Sequence, residues 1–230
     1  MRRPRRGDDP AGRSGAPEAD RADRVRTPGG AAHQPGDRGG AAARARPGGG
    51  RSNPRRGLVH RAPPPRPAAV IIGAIHIAIP LHRLAKLLGY RVTVIDARAK
   101  FATAERFPEA DEILVGWPDE TLAGITLDRS TYVVILTHDP KFDLPALRSV
   151  VGKDVRYIGA IGSRKTNQNR FDELRSEGFT DEQLEKVHGP IGLDLGGRGA
   201  EETALAILAE MTAVKYQASG KTMKEVRAGR

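Results

Sequence analysis

The sequence contains no cysteine, which excludes disulfides and thiolate metal ligands outright. No apolar run approaches the roughly 18 residues of a membrane-spanning helix, and residues 2–24 lack the apolar core of a secretory signal. The expectation is a cytoplasmic protein that makes no membrane contact. Residues 1–67 have no lysine and no aromatic residue, and their only large apolar side chains are Met1, Val25, Leu58 and Val59. Such a segment cannot bury enough surface to offset an ordering cost of roughly 1–2 kcal/mol per residue, so it is expected to be disordered. Without aromatics it has nothing to stack on bases, and acids are scattered through it. A nucleic-acid-binding arm is therefore not expected.

What that segment does hold is 16 Arg, 12 Gly and 11 Pro against 6 acidic residues, a charge of +10. The 22 basic and 22 acidic side chains of residues 68–230 cancel, so the formal +10 of the whole chain says nothing about a folded surface. "GGAAARARPGGGRSNPRRG" reads like GC-rich DNA translated out of frame or upstream of a true start, which N-terminal sequencing of the native protein checks. The folded region is expected over 68–216, with 217–230 as a flexible tail.

From residue 68 short β-branched runs alternate with helical patterns, the mark of an α/β protein with an open, doubly wound, mostly parallel, Rossmann-like sheet and helices on both faces. Strands are expected at 68–73, 90–96, 111–116, 131–137 and 155–162. "GPIGLDLGG" (189–197) is a candidate edge strand. Helices are expected at about 77–88, 163–176 with Ser163 as N-cap, from Thr180 with a capping box to Gln183, and 200–216. The unusual residues fall just past the C-terminal ends of strands, the edge at which open α/β sheets bind ligands.

Gly73 and Ala78 stand at the first and third positions of a dinucleotide fingerprint, and Asp96 lies 23 residues after Gly73, near the place of a ribose-binding acid. At the second position is Ile75, whose branched side chain crowds a pyrophosphate. Two readings stay open: a mononucleotide-binding half, or a plain turn with Asp96 paired locally. "YIGAIGSRKT" (157–166) is the stronger anion candidate. Gly159 and Gly162 permit close backbone approach, and Ser163, Arg164 and Lys165 gather at a helix N-terminus. Arg164 stands where a P-loop requires glycine, so a P-loop NTPase is rejected. "THDPKFD" (137–143) places His138 and Asp139 at the edge, with Asp143 as a helix N-cap; the spacing is not that of a metal site. "DLGGRGAEE" (194–202) adds Asp194, Gly196 and Arg198.

Taken in order, "GAIHIA", "VTVIDAR", "ERFPEADEIL", "LTHDPKFD", "YIGAIGSRKT" and "GPIGLDLGGRGAEETALAILAE" resemble the C-terminal Rossmann-like domain of the XdhC/CoxI family over about 68–214. The resemblance implies a non-enzymatic accessory factor that binds the molybdenum cofactor, shields it during sulfuration and inserts it into a xanthine dehydrogenase-type molybdenum hydroxylase. It implies that the phosphate of molybdopterin, in a mono- or dinucleotide form, meets Gly159, Gly162, Ser163, Arg164 and Lys165. Gly73, His76, Asp96, His138, Asp139 and Asp194 would then line the cleft. Without a cysteine the chain cannot relay a persulfide, so sulfur is expected from a cysteine desulfurase partner; a homodimer is compatible with the sequence. Two residues depart from the family pattern: Ile75 in the glycine loop, and Gly199-Ala200 where Ser/Thr-Pro usually caps the last helix. The alternatives carried are an NAD(P)-binding oxidoreductase and a non-catalytic nucleotide-binding module.

Overall fold

The computed structural model describes residues 66–228. The expectation for 1–67 therefore lies outside the described residues, except at its last two. Six strands, β1 (Ala68–Ile72), β2 (Arg91–Asp96), β3 (Glu112–Val115), β4 (Thr131–Ile135), β5 (Tyr157–Ala160) and β6 (Val187–His188), form one sheet in the order β3-β2-β1-β4-β5-β6. Every pairing is parallel. The strand order reverses between β1 and β4, which pair in register from Ala68 opposite Thr131 to Ile72 opposite Ile135. Loops leaving such a switch point diverge and open a crevice.

The continuous apolar runs follow from burial on both faces. In β1, Ala69 and Ile71 face one core with Leu81, Ala85 and Ile207, while Val70 and Ile72 face the other with Leu122, Leu144, Leu147 and Leu174. The first core is covered by α1 (Ala78–Leu87) and α6 (Ala200–Tyr216), the second by α2 (Pro118–Ala123), α3 (Pro140–Val150), α4 (Arg164–Ser176) and α5 (Asp181–Leu184). Pro80 is accommodated in the first turn of α1, where its missing N–H is not needed. Leu88, the last residue of the helix expected at about 77–88, is half exposed just beyond the end of α1.

Several local expectations need correction. The edge strand is Val187–His188, ahead of the 189–197 stretch expected to supply it, because the segment that follows breaks away to reach α6. Thr180 and Gln183 do form the capping box, but the helix it opens spans only four residues. Met223–Ala228 forms a short helix, α7, within the segment expected to be a tail. The α6 N-terminus, with Gly199-Ala200 in place of the usual cap, is capped from inside: the Glu202 carboxylate accepts the amides of Arg198 and Gly199, both at 2.9 Å.

Candidate functional site

Gly73 ends β1 at the switch point with φ +99°. A Cβ there would lie 2.7 Å from Thr137 Cγ2 and 3.1 Å from the Thr137 amide nitrogen. The glycine is thus required by the close approach of the β4 loop as well as by its backbone conformation. Ile75, the residue out of place in the fingerprint, packs half-buried against the α1 core. His76 is exposed beside it.

Asp96 is 4% exposed, and its carboxylate is fully engaged. It accepts the Ala74 amide at 2.8 Å, the Arg98 amide at 2.9 Å, and the Arg98 Nε and Nη2 hydrogens at 2.8 Å each. Burial alone would raise this carboxyl, but the hydrogen bonds from Arg98 and from the Ala74 amide outweigh it and hold the group below the ordinary aspartate value. Arg106 Nη1 donates to the carbonyls of Ala74 at 2.8 Å and Phe101 at 2.7 Å. Both polar atoms of Ala74 are therefore committed within the protein. A pyrophosphate would need such an amide free, and a ribose would need the Asp96 oxygens free. The crevice around Gly73, Asp96, Arg98, Thr137 and Phe142 has a volume of about 10 Å³, room for a water molecule and not for a nucleoside. Asp96 is thus paired locally, with Arg98 and the Ala74 amide.

After β4, Thr137 is buried while His138 and Asp139 are exposed. The expected N-cap at Asp143 is corrected: Asp139 caps α3, accepting the Lys141 amide at 3.0 Å. Asp143, one turn further on, faces inward and pairs with Arg170 of α4, a residue that no sequence motif singles out. Arg170 Nη1 donates to the Ile161 carbonyl at 2.5 Å and to Asn167 Oδ1 at 2.9 Å. Burial pushes the Asp143 carboxyl up to about 6, against the opposing pull of Arg170. The Thr137 hydroxyl and Asp143 Oδ1 are buried without a hydrogen-bond partner among the described residues. A sequence signal for the pair existed, a polar Asn167/Arg170 couple at i, i+3 on the face that should pack, but its acidic partner lies 27 residues away.

The turn after β5 divides the remaining candidates. Gly159 is not in it. It is buried mid-strand, where a Cβ would lie 2.5 Å from both Ile191 Cδ1 and Tyr157 Oη, so its missing side chain serves packing. Gly162 is in the turn, with φ +129°. Ser163 is the N-cap as expected, its Oγ accepting the Thr166 amide at 3.1 Å and lying 2.8 Å from Thr166 Oγ1. Arg164 and Lys165 are exposed in the first turn of the 13-residue α4, with no ion-pair partner among the described residues. Asp194 is exposed between β6 and α6, in a groove of about 340 Å³ lined also by Ile191, Leu193, Arg198 and Thr203. Of the other candidates, only Gly196 and Arg198 from the same segment line that groove. A cavity of about 480 Å³ opens instead at the opposite end of the sheet, around Ala68, Arg91 and Thr131, the first residues of β1, β2 and β4. No candidate residue lines it.

Residues 69–211 match the XdhC Rossmann domain family, more than half of the chain. The chain belongs to the XdhC family. This XdhC-family chain is 28% identical over 159 residues to the uncharacterized protein YqeB of Escherichia coli K12, covering 69% of this chain and 29% of YqeB. It is 29% identical over 147 residues to a probable xanthine dehydrogenase subunit from Bacillus subtilis 168 (64% and 42%). With the molybdenum cofactor insertion chaperone PaoD of E. coli K12 it shares 32% identity over 93 residues (40% and 29%). A crystal structure of a xanthine dehydrogenase from Bacillus halodurans superposes with a TM-score of 0.60 at 28% identity, over 69% of this chain and 46% of that one. The XdhC-family chain thus spans less than half the length of each of these relatives.

Two further features bear on what the site can hold. Among the described residues no group of three or more His, Asp and Glu is placed to bind a metal ion, and no helix is long and apolar enough to cross a membrane. Beyond β5, Glu210 of α6 accepts Tyr157 Oη at 2.6 Å, His188 Nδ1 at 3.0 Å and the Gly192 amide at 2.9 Å. This knot ties β5 and β6 to α6. Burial would raise Glu210, but the His188, Tyr157 and Gly192 hydrogen bonds prevail and lower it.

Proposed function

We propose that this chain binds the molybdenum cofactor by its phosphate and passes it to a molybdenum hydroxylase of the xanthine dehydrogenase type, without turning over a substrate of its own. The observation that carries this reading is the pair Arg164 and Lys165. The N-terminus of α4 is already positive through the alignment of its peptide dipoles, so two unpaired cations there raise the energy of the empty turn. An anion relieves that cost, and the amides of the first turn supply its hydrogen bonds. Gly162 lets the backbone enter the turn at positive φ, and Ser163 keeps the helix start rigid.

The donor set fits a phosphorylated pterin better than a dinucleotide. The phosphate end has its cations, and His76, His138 and Asp139 lie exposed on neighbouring loops to meet polar ring atoms. The engaged Asp96 and Ala74 and the closed crevice speak against NAD(P). When bound, the cofactor supplies the redox chemistry that the hydroxylase later uses; this chain's residues only hold, orient and shelter it. With no cysteine in the sequence, sulfur for the cofactor comes from a partner, a cysteine desulfurase. The relative named as a molybdenum cofactor insertion chaperone supports the assignment.

The test is anaerobic purification of the full chain from cells that make the cofactor, followed by denaturation, oxidation and measurement of the fluorescent pterin released. The wild type is expected to carry pterin, and Arg164→Ala/Lys165→Ala to retain about a tenth or less, given two charge-assisted hydrogen bonds lost. Pterin-free wild type, or undiminished retention by the variant, refutes the assignment. A second assay restores activity to an apo-hydroxylase with loaded protein.

A further inference from the structure

The chain has a single tryptophan, Trp117, and it sits at the ligand edge of the sheet just beyond β3. Its ring stacks on Phe142 of α3 with centroids 4.9 Å apart and planes inclined by 23°. Yet Trp117 remains 45% exposed, an unusual position for the largest apolar side chain in the protein. Its backbone is pinned. Pro118 fixes the first position of α2, and the Trp117 carbonyl accepts both the Thr121 amide at 2.9 Å and the Thr121 hydroxyl at 2.7 Å. Beside it, the Arg98 guanidinium lies 4.3 Å from the Phe101 ring centroid and 6.0 Å from that of Phe142. Asp96 takes Nε and Nη2 of this guanidinium, leaving Nη1 without a protein partner among the described residues.

We infer that Trp117, Phe142 and Arg98 form a platform for a flat heteroaromatic ring with an amide-type edge, the ring end of the ligand whose phosphate lies at Arg164 and Lys165. This rests on the proposed function only for the phosphate end. The crevice beneath Phe142 is closed, so a ring at this edge must lie across the top of the strands, where Trp117 offers a face and Arg98 a free donor. Stacking on an aromatic face accepts any flat π-system, and the Nη1 hydrogens select one with carbonyl or ring-nitrogen acceptors on its rim. Arg98 follows β2 and the anion turn follows β5, three strand spacings or about 14 Å along the rim. A ring joined to its phosphate through a linking group bridges these ends, with His76, His138 and Asp139 between them. A pterin and the base of an appended nucleotide both offer such a ring; the chemistry of recognition is shared.

The lone tryptophan makes the test direct, because emission from the full chain reports on this position alone. Titration with 6-hydroxymethylpterin, GMP, CMP or inorganic phosphate, corrected for absorbance, is expected to give saturable quenching with a ring and none with phosphate. A response to the pterin alone assigns the platform to the pterin end; a response to a nucleotide alone assigns it to the appended base. Trp117→Leu, at an exposed position, should weaken binding of the responding ring about tenfold by equilibrium dialysis. Flat titrations with every ring, or unchanged binding by Trp117→Leu, overturn the inference. If rings fail to quench while purified wild type carries pterin that Arg164→Ala/Lys165→Ala loses, the platform falls and the cofactor assignment stands. If rings quench but wild type carries no pterin, the reverse holds.

Discussion

Arg170 and Asp143 face each other in the interior, their side chains 6% and 1% exposed, and join α4 to α3 beneath the loops that end β4 and β5. Replacing Arg170 by methionine leaves the carboxylate without a counter-charge and strips the Ile161 carbonyl of its donor. The expected loss is about 3–5 kcal/mol of unfolding free energy, read from urea denaturation.

The same pair gives a pH signature of defined sign. Asp143 titrates near 3.9 in an unfolded chain, but burial first and the nearby Asp139 charge second push it to about 6 in the folded one, with Arg170 opposing. A raised folded value means that the native state holds the proton more tightly. The stabilisation is complete below about pH 4 and is lost as pH rises through about 6. The difference in urea midpoint between wild type and Asp143→Asn should therefore shift against the wild type across that window, and be flat above it.

Gly73→Ala is expected to destabilise by about 1–3 kcal/mol, since it forces an L side chain to positive φ and drives a methyl into Thr137. Thr137→Ser removes the methyl that it strikes. A double-mutant cycle should then recover the steric part of the cost and leave the conformational part, and purely additive losses would rule out the contact.

Asp96 behaves oppositely to Asp143. Its carboxyl is held low, so its contribution is present above about pH 4 and fades as acid protonates it. Asp96→Asn should cost about 1.5–3 kcal/mol at neutral pH, through the weakened Arg98 fork, and should flatten the acid limb of the stability profile.

Tyr157→Phe removes one of the three donors to Glu210 while keeping the ring. A loss of about 1–2 kcal/mol by thermal or urea unfolding is expected. His188 and Gly192 remain to satisfy the carboxylate, so the fold should persist.

The sheet was legible because burial on both faces writes itself as unbroken apolar runs such as Ala68–Ile72 and Thr131–Ile135, and the loops at its ligand edge followed from strand direction. Ser163 was legible too, since a cap is a local event. Contacts that depend on distant partners were not. Local pairing of Asp96 was among the readings the sequence offered, but nothing near it announces that Arg106 takes the Ala74 carbonyl, and nothing near Asp143 reveals Arg170. Gly159 looked like a loop glycine because the side chain it makes room for, Ile191, arrives 32 residues later. Trp117 is one of the residues just past a strand end, but its stacking on Phe142, contributed by the helix that follows β4, could not be read from the sequence.

Because β1 and β4 are neighbours in the sheet but more than 50 residues apart in the chain, and the anion turn belongs to α4, the rim has no early precursor during synthesis. A ribosome-bound chain that ends before Ser176 has glycines and aromatics but no grip. Under the proposed function, loading would wait for the completed fold, and a loaded protein is expected to unfold at a higher temperature than an unloaded one.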